Sequence, residues 1–350
     1  MTHRCPLHCI VPPELLLRVA SSGSEEERDA ALRTLALDHT MRQARVERAT
    51  RLALAPAPPR LLSGPVGGPH RSIYDQHEND AMELGELARA EGQAAVEDEA
   101  VNEAYDGFGA TYNFYWEILK RNSIDDLGMP ILGLVHFSHR YDNAFWDGEG
   151  HMFFGDGDEQ LFTRLTKSFD VIGHELTHGV TQYTANLVYR DQSGALNESI
   201  SDVFGSLVSQ YAKGESAEEA SWLIGADVVG PALAPALRSM KAPGEANPHD
   251  SQPADMDHFV RTGEDNGGVH TNSGIPNHAF YVVATTIAGN AWESAGVIWY
   301  DALRDPRVKP NCDFLAFAKA TLRGAQQRYG TDGKEADAVR AGWDAVKIAL

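Results

Sequence analysis

Cysteine is scarce in this 350-residue chain, with only Cys5, Cys9 and Cys312. Since only Cys312 lies beyond residue 71, a disulfide framework in the body of the protein is excluded. Positive charge is also short: 30 Lys and Arg stand against 50 Asp and Glu, a net charge of −20. A nucleic-acid partner is therefore not expected, because phosphate binding needs a basic face. No stretch is long and apolar enough to span a bilayer as a helix, so no membrane partner is expected either. The N-terminal apolar run is cut by Pro12 and Pro13, then by Glu14 and Arg18, which leaves no continuous core for a classical signal peptide. Secretion by a route without such a peptide is expected, with a cytoplasmic location as the alternative.

Lysine is absent from residues 1–71, which nevertheless carry ten Arg and a net charge of +3, leaving −23 on the remainder. A basic arm on an acidic body fits a segment that docks in cis. The arm reads as one or two amphipathic helices over residues 14–52. The Pro/Gly-rich stretches Ala55–Pro59 and Ser63–Pro69 that follow have the composition of a linker. A processing boundary is expected near Arg71–Ser72.

Beyond it, apolar residues from Val101 to Leu119 recur at spacings of three and four and predict a helix over 98–121. Strand patterns follow at Ile131–Phe137 and His151–Phe154, with a hairpin region over Asn143–Gly150. Helices are predicted at 160–183, 194–213, 275–288, 290–303, 313–328 and 334–346. The fold class is α+β, β-rich first and helical second, divided as 1–71, 72–170 and 171–350.

The chemistry concentrates in His174-Glu175-Leu176-Thr177-His178. Two imidazoles four residues apart share one helix face, about 6 Å apart, and can chelate one tetrahedral zinc. Glu175 lies between them, placed to act on a water. Glu198, on the next predicted helix, would be the third ligand and leave a fourth position open, as a catalytic zinc needs. Solvated histidines on a surface helix are the plain alternative. Phe169, Val171, Ile172, Leu176 and Val180 argue for burial instead, and buried imidazoles need partners. Asn197 and Asp202 are near Glu198 on its helix, and Asp202 is the candidate to fix an imidazole tautomer.

These stretches resemble the thermolysin family of neutral zinc metallopeptidases, and within it the protealysin-like subgroup with a short propeptide. Asp170–Thr181 is similar to the zinc-helix motif and Ser193–Gly205 to the third-ligand motif. Asp265–Gly274 resembles the catalytic-histidine motif and Asn143–Trp146 the substrate strand. The resemblance implies a β-rich N-terminal domain and a helical C-terminal domain with the zinc cleft between them. It implies that His174, His178 and Glu198 bind one zinc ion. Glu175 then activates the water and carries its proton to the leaving amine. Tyr189 and His270 become donors to the oxyanion, and Asp265 the carboxylate that orients His270. Arg238 would hold a substrate carbonyl, and Asn143 and Ala144 would clamp the extended peptide. Phe162, Leu165, Val171 and Leu237 match an apolar pocket that prefers a bulky hydrophobic residue after the cut bond, although plain core residues look the same. Protein or peptide substrates, and residues 1–71 as a cis-inhibiting propeptide of a zymogen, complete the expectation, with the enzyme a monomer.

Two features depart from the family pattern. Of the family's paired calcium sites only Asp170 is retained; Ser209 or Gln210, Ser221, Leu223 and Ala226 stand at the partner positions, whereas calcium wants carboxylates. The double site is thus not expected, and Asp156 and Asp158 remain for a weaker one. Cys5 and Cys9 either pack where the propeptide meets the enzyme or place a thiolate on zinc. A zinc protein that only binds partners would need none of Glu175, Tyr189, His270 or Asp265. Another zinc hydrolase, such as an aminopeptidase, would want an acidic anchor for a free amino terminus, and none stands out.

Overall fold

The computed structural model describes residues 8–53 and 67–350. Cys5, Ala55–Pro59 and residues 63–66 of the Pro/Gly tract lie outside the described residues. The N-terminal arm forms β1 (His8–Cys9), α1 (Pro13–Ser22) and α2 (Glu25–Ala53). Pro13 opens α1 at the first helical position, where its missing N–H costs nothing. Ser24 and Glu27 exchange side-chain-to-backbone hydrogen bonds in a capping box that starts α2.

The first lobe follows with β2 (Arg71–Asp75), β3 (Glu86–Ala90), α3 (Glu99–Glu117), β4 (Ile131–Val135), β5 (Ala144–Trp146) and β6 (His151–Phe154). One six-stranded sheet results, in the order β1-β5-β6-β4-β2-β3. Strand β1 therefore caps the edge of a sheet built from the rest, pairing antiparallel with β5 through His8↔Trp146 and Cys9↔Phe145. The second lobe is helical: α4 (Phe169–Gln182), α5 (Asp191–Lys213), α6 (Asp265–Asn272), α7 (Gly274–Ile287), α8 (Ala295–Arg304), α9 (Phe314–Tyr329) and α10 (Lys334–Ala345). Trp299 of α8 stacks on Trp343 of α10, with ring centroids 6.1 Å apart.

The α+β division agrees with the sequence, but several elements differ from expectation. The strand predicted to Phe137 stops at Val135, because His136 and Ser138 take positive φ. The helix predicted from 98 ends at Glu117, with Asp98 as its N-cap accepting from Val101 N. Residues 160–168 are not helical. Asp158 Oδ1 accepts from the N–H groups of Gln160 and Leu161, and Phe162 bridges Val229 before one 3₁₀ turn at Leu165–Lys167. The helix predicted over 290–303 is likewise a 3₁₀ turn at Ala291–Glu293 followed by α8.

Helices α4 and α5 carry most of the chemistry and lie unusually close. A Cβ on Gly173 would fall 3.0 Å from the Cα of Gly205, and one on Gly205 would fall 2.3 Å from the Asp170 carbonyl oxygen. Only glycine at these crossing points lets the two backbones meet.

Candidate metal centre

Every residue of α4 from Asp170 to Thr181 is buried. His174 and His178 sit one turn apart with rings nearly perpendicular, and their Nε2 atoms approach to 3.0 Å. Glu198 comes from α5, its Oε2 lying 3.5 Å from His174 Nε2 and its Oε1 3.5 Å from His178 Nε2. Outer partners set the tautomers. The Nδ1–H of His174 donates to Asp202 Oδ1 at 2.8 Å, and that of His178 to Asn197 Oδ1 at 2.8 Å. Both Nε2 lone pairs therefore face one point, where Glu198 Oε2 also lies buried without a hydrogen-bond partner. Two imidazole nitrogens and a carboxylate oxygen, converging in a dry site with their far sides held, are the donor set of a catalytic zinc, and the residues present fit that ion.

Asp202 is the hub behind the ligands. It also accepts two hydrogen bonds from the Arg238 guanidinium, at 2.7 and 2.9 Å, and one from Asn277 Nδ2 at 2.8 Å. Burial alone would raise its carboxyl, but the charges of Arg238 and His174 hold it well below the usual carboxylate range. The contribution of Asn277 has no counterpart in the sequence reading, since nothing in Gly-Ile-Pro-Asn marks that side chain.

Glu175 lies on α4 next to His174 and is fully buried. Its Oε2 accepts from Trp146 N at 3.0 Å, and its Oε1 lies buried without a hydrogen-bond partner. Burial, reinforced by the nearby Glu198 charge, pushes its pKa well up. Tyr189 donates a short hydrogen bond to Glu198 and lies 3.2 Å from His270 Nε2. His270 belongs to α6, whose start is irregular. Asn266, Gly267 and Gly268 take positive φ, which folds the chain so that Asp265 accepts both the backbone N–H and the Nδ1–H of His270, each at 2.7 Å. Although burial opposes a charged imidazole, Asp265 and Glu198 raise the His270 pKa to about 10, so Nε2 carries a proton to donate.

Hydrogen bonds to Cys9, Ile10 and Val11 hold the arm across this centre. Ile10 N donates to Ala144 O at 3.2 Å and Val11 N to Asn143 Oδ1 at 3.0 Å. Arg238 Nη1 donates to Ile10 O at 2.7 Å, and His270 Nε2 to Cys9 O at 3.0 Å. Asn143, Ala144, Arg238 and His270 are thus all engaged by the arm. Phe162, Leu165, Val171 and Leu237 are fully buried and belong to the apolar cluster that includes Ile10. A cavity of only about 30 Å³ remains between Pro12, Glu14, Arg238 and His270.

His8, absent from the sequence reading, lies with its Nδ1 3.0 Å from His178 Nδ1 and its ring against Tyr189. Its position next to an apolar strand and a Pro-Pro pair was the available clue. The Cys9 side chain packs with Met41, Leu134, Phe137, Tyr141, Phe145 and Phe153. That surrounding matches packing, and the thiolate-on-zinc alternative for Cys9 is dropped. Asp170 accepts from Ser168 Oγ and Gly225 N. Asp156 pairs with His136, and Asp158 lies 3.6 Å from Arg33.

Comparison with known proteins agrees with this geometry. Residues 68–182 match the thermolysin metallopeptidase catalytic domain, and residues 185–348 the thermolysin metallopeptidase alpha-helical domain. The chain is 44% identical over 351 residues to an extracellular metalloprotease of Pectobacterium carotovorum subsp. carotovorum, covering 99% of this chain and 97% of that protein. It is 44% identical over 338 residues to protease PrtS of Photorhabdus sp. (strain Az29), covering 93% and 89%. Among solved structures, the precursor of protealysin, a metalloproteinase from Serratia proteamaculans, matches with a TM-score of 0.86 and 44% identity, over 98% of this chain and all of that one.

Proposed function

The chain belongs to the thermolysin family of zinc metallopeptidases, and from that premise we propose a role for each residue of the site. His174, His178 and Glu198 hold the zinc, which when bound acidifies water and polarises a carbonyl. Glu175 takes the proton of the attacking water and delivers it to the departing amine, a role its buried position next to His174 supports. Tyr189 and protonated His270 donate to the oxyanion, each worth on the order of 3 kcal/mol in comparable sites. Asp265 keeps His270 charged and aimed. Arg238 binds the carbonyl of the residue after the cut, while Ala144 and Asn143 receive an extended peptide as an added strand.

The apolar set Phe162, Leu165, Val171 and Leu237 selects a bulky hydrophobic residue after the cut bond. Cleavage of a peptide library before Leu or Phe is the expected result; preferential cleavage before Asp or Lys would remove this assignment.

The arm upstream of Arg71 acts as a propeptide that inhibits in cis, supported by the five bonds that residues 9–11 make to site groups. We read 72–170 and 171–350 as the two catalytic lobes, with the zinc helix α4 straddling their boundary. Arg71 and Ser72 are both paired into the sheet, so the maturation cut is assigned upstream of Arg71 rather than at it. Secretion is supported by the extracellular relative that the chain matches over nearly its full length.

The observation that carries the reading is the convergence of two Nε2 atoms and one carboxylate beside Glu175 and His270. Metal analysis should find one zinc per chain, and a chelator should abolish hydrolysis of casein until zinc is restored. Glu175→Gln should retain the metal while kcat/KM falls by about 10²- to 10⁴-fold. Hydrolysis that survives either treatment would overturn the mechanism.

A further inference from the structure

The bonds to residues 8–11 define a register as well as a blockade. The peptide unit joining Cys9 to Ile10 has its carbonyl oxygen 3.0 Å from His270 Nε2 and its N–H on Ala144 O at 3.2 Å. The following carbonyl, that of Ile10, is on Arg238. That unit and the carbonyl after it therefore engage His270, Ala144 and Arg238, the groups assigned above to a peptide bound for cutting. The register is pinned on both sides. Antiparallel pairing of His8 and Cys9 with Trp146 and Phe145 fixes it before the unit, and Val11 N on Asn143 fixes it after. Pro12 and Pro13 have no N–H to continue the ladder, and α1 begins at Pro13. A slip by one residue would turn Ile10 out of the apolar cluster and present the wrong side chains to both faces.

We infer that the chain holds its own N-terminal arm as a substrate and that Cys9–Ile10 is a self-cleavage site, cut in cis. The step depends on the zinc-peptidase reading of the same site. Water adds to the carbonyl carbon of Cys9, its proton passes through Glu175 to the Ile10 nitrogen, and the C–N bond breaks. The products are a fragment ending in a Cys9 carboxylate and a chain beginning with an Ile10 amine, with water as the sole co-reactant. The cut severs β1 from α1 and α2, so it loosens the arm without removing its helical part.

The test is intact mass and N-terminal sequencing of the full chain loaded with zinc, followed over time and across a dilution series. In parallel, hydrolysis of an external peptide with Leu after its cut bond is measured. A species starting at Ile10 should form at a rate independent of chain concentration. Ile10→Asp should slow it by about tenfold or more, and Ile10→Leu should preserve it. If the external peptide is cut while no chain starting at Ile10 ever forms, the inference fails and the peptidase reading stands. A rate that scales with concentration overturns the cis step. If the external peptide is not cut either, the peptidase reading itself fails.

Discussion

Asp202 shows how much of this site rests on single side chains. It receives hydrogen bonds from His174, Arg238 and Asn277 while fully buried. Asp202→Asn should lower zinc affinity by about 10- to 100-fold in a competition titration with a chelating dye, and should also weaken Arg238's hold on a substrate carbonyl. The pairing of His174 with His178 on one helix face was legible because their spacing is a helical turn. The link from Asp202 to Arg238 was not, since 36 residues separate them and only packing joins them. A second residue-scale test concerns His136. Its imidazole lies 2.8 Å from both Asp156 and Asp98, and the Asp156 hydrogen bond, against the opposing effect of burial, raises its pKa to about 9. The folded state then binds a proton that the unfolded state releases near pH 6.5. This contribution is complete below pH 6.5 and is lost as pH climbs through 9. Denaturant midpoints measured across that window should fall for the parent and stay flatter for His136→Gln.

At the scale of elements, the approach of α4 to α5 positions Glu198 against the two histidines. Gly205→Ala forces a methyl into the Asp170 carbonyl and the His174 backbone. Thermal unfolding should show a loss of about 1–3 kcal/mol, and zinc content should drop with it, because the third ligand moves away from the first two. Helical periodicity made α3, α5, α7, α9 and α10 readable to within a few residues. Segment 160–168 misled because its apolar residues mimic a helix, while the Asp158 side chain satisfies the backbone in a turn. Strand β3 reads Glu-Leu-Ala-Arg-Ala, a helix-favouring string overridden by pairing with β2. The irregular start of α6 was invisible as an element, although Asn-Gly-Gly marks residues that tolerate positive φ.

Across the whole molecule, a basic arm on an acidic body suggested docking by charge. Among the described residues the arm's pairing is modest: Arg33 lies 3.6 Å from Asp158, while Ile10, Val11, Leu15, Leu16 and Val19 are buried in the main apolar cluster. Burial and strand pairing hold the arm, and polar contacts set its register. Asp38 of α2 accepts from Tyr141 Oη at 2.6 Å and from Asn143 Nδ2 at 3.2 Å. Asp38→Ala should weaken the arm's seat by about 1–3 kcal/mol, seen as a shorter lag before full peptidase activity in a continuous assay. The family and the metal were readable from contiguous motifs. The seating of the arm was not, because it joins residues more than a hundred positions apart. It has a sequel after maturation. Once β1 is gone, β5 becomes the margin of the sheet, with a row of bare backbone groups that bind any extended chain. An unfolded copy of the same protein offers such a chain, so a concentrated stock of the mature form would digest itself.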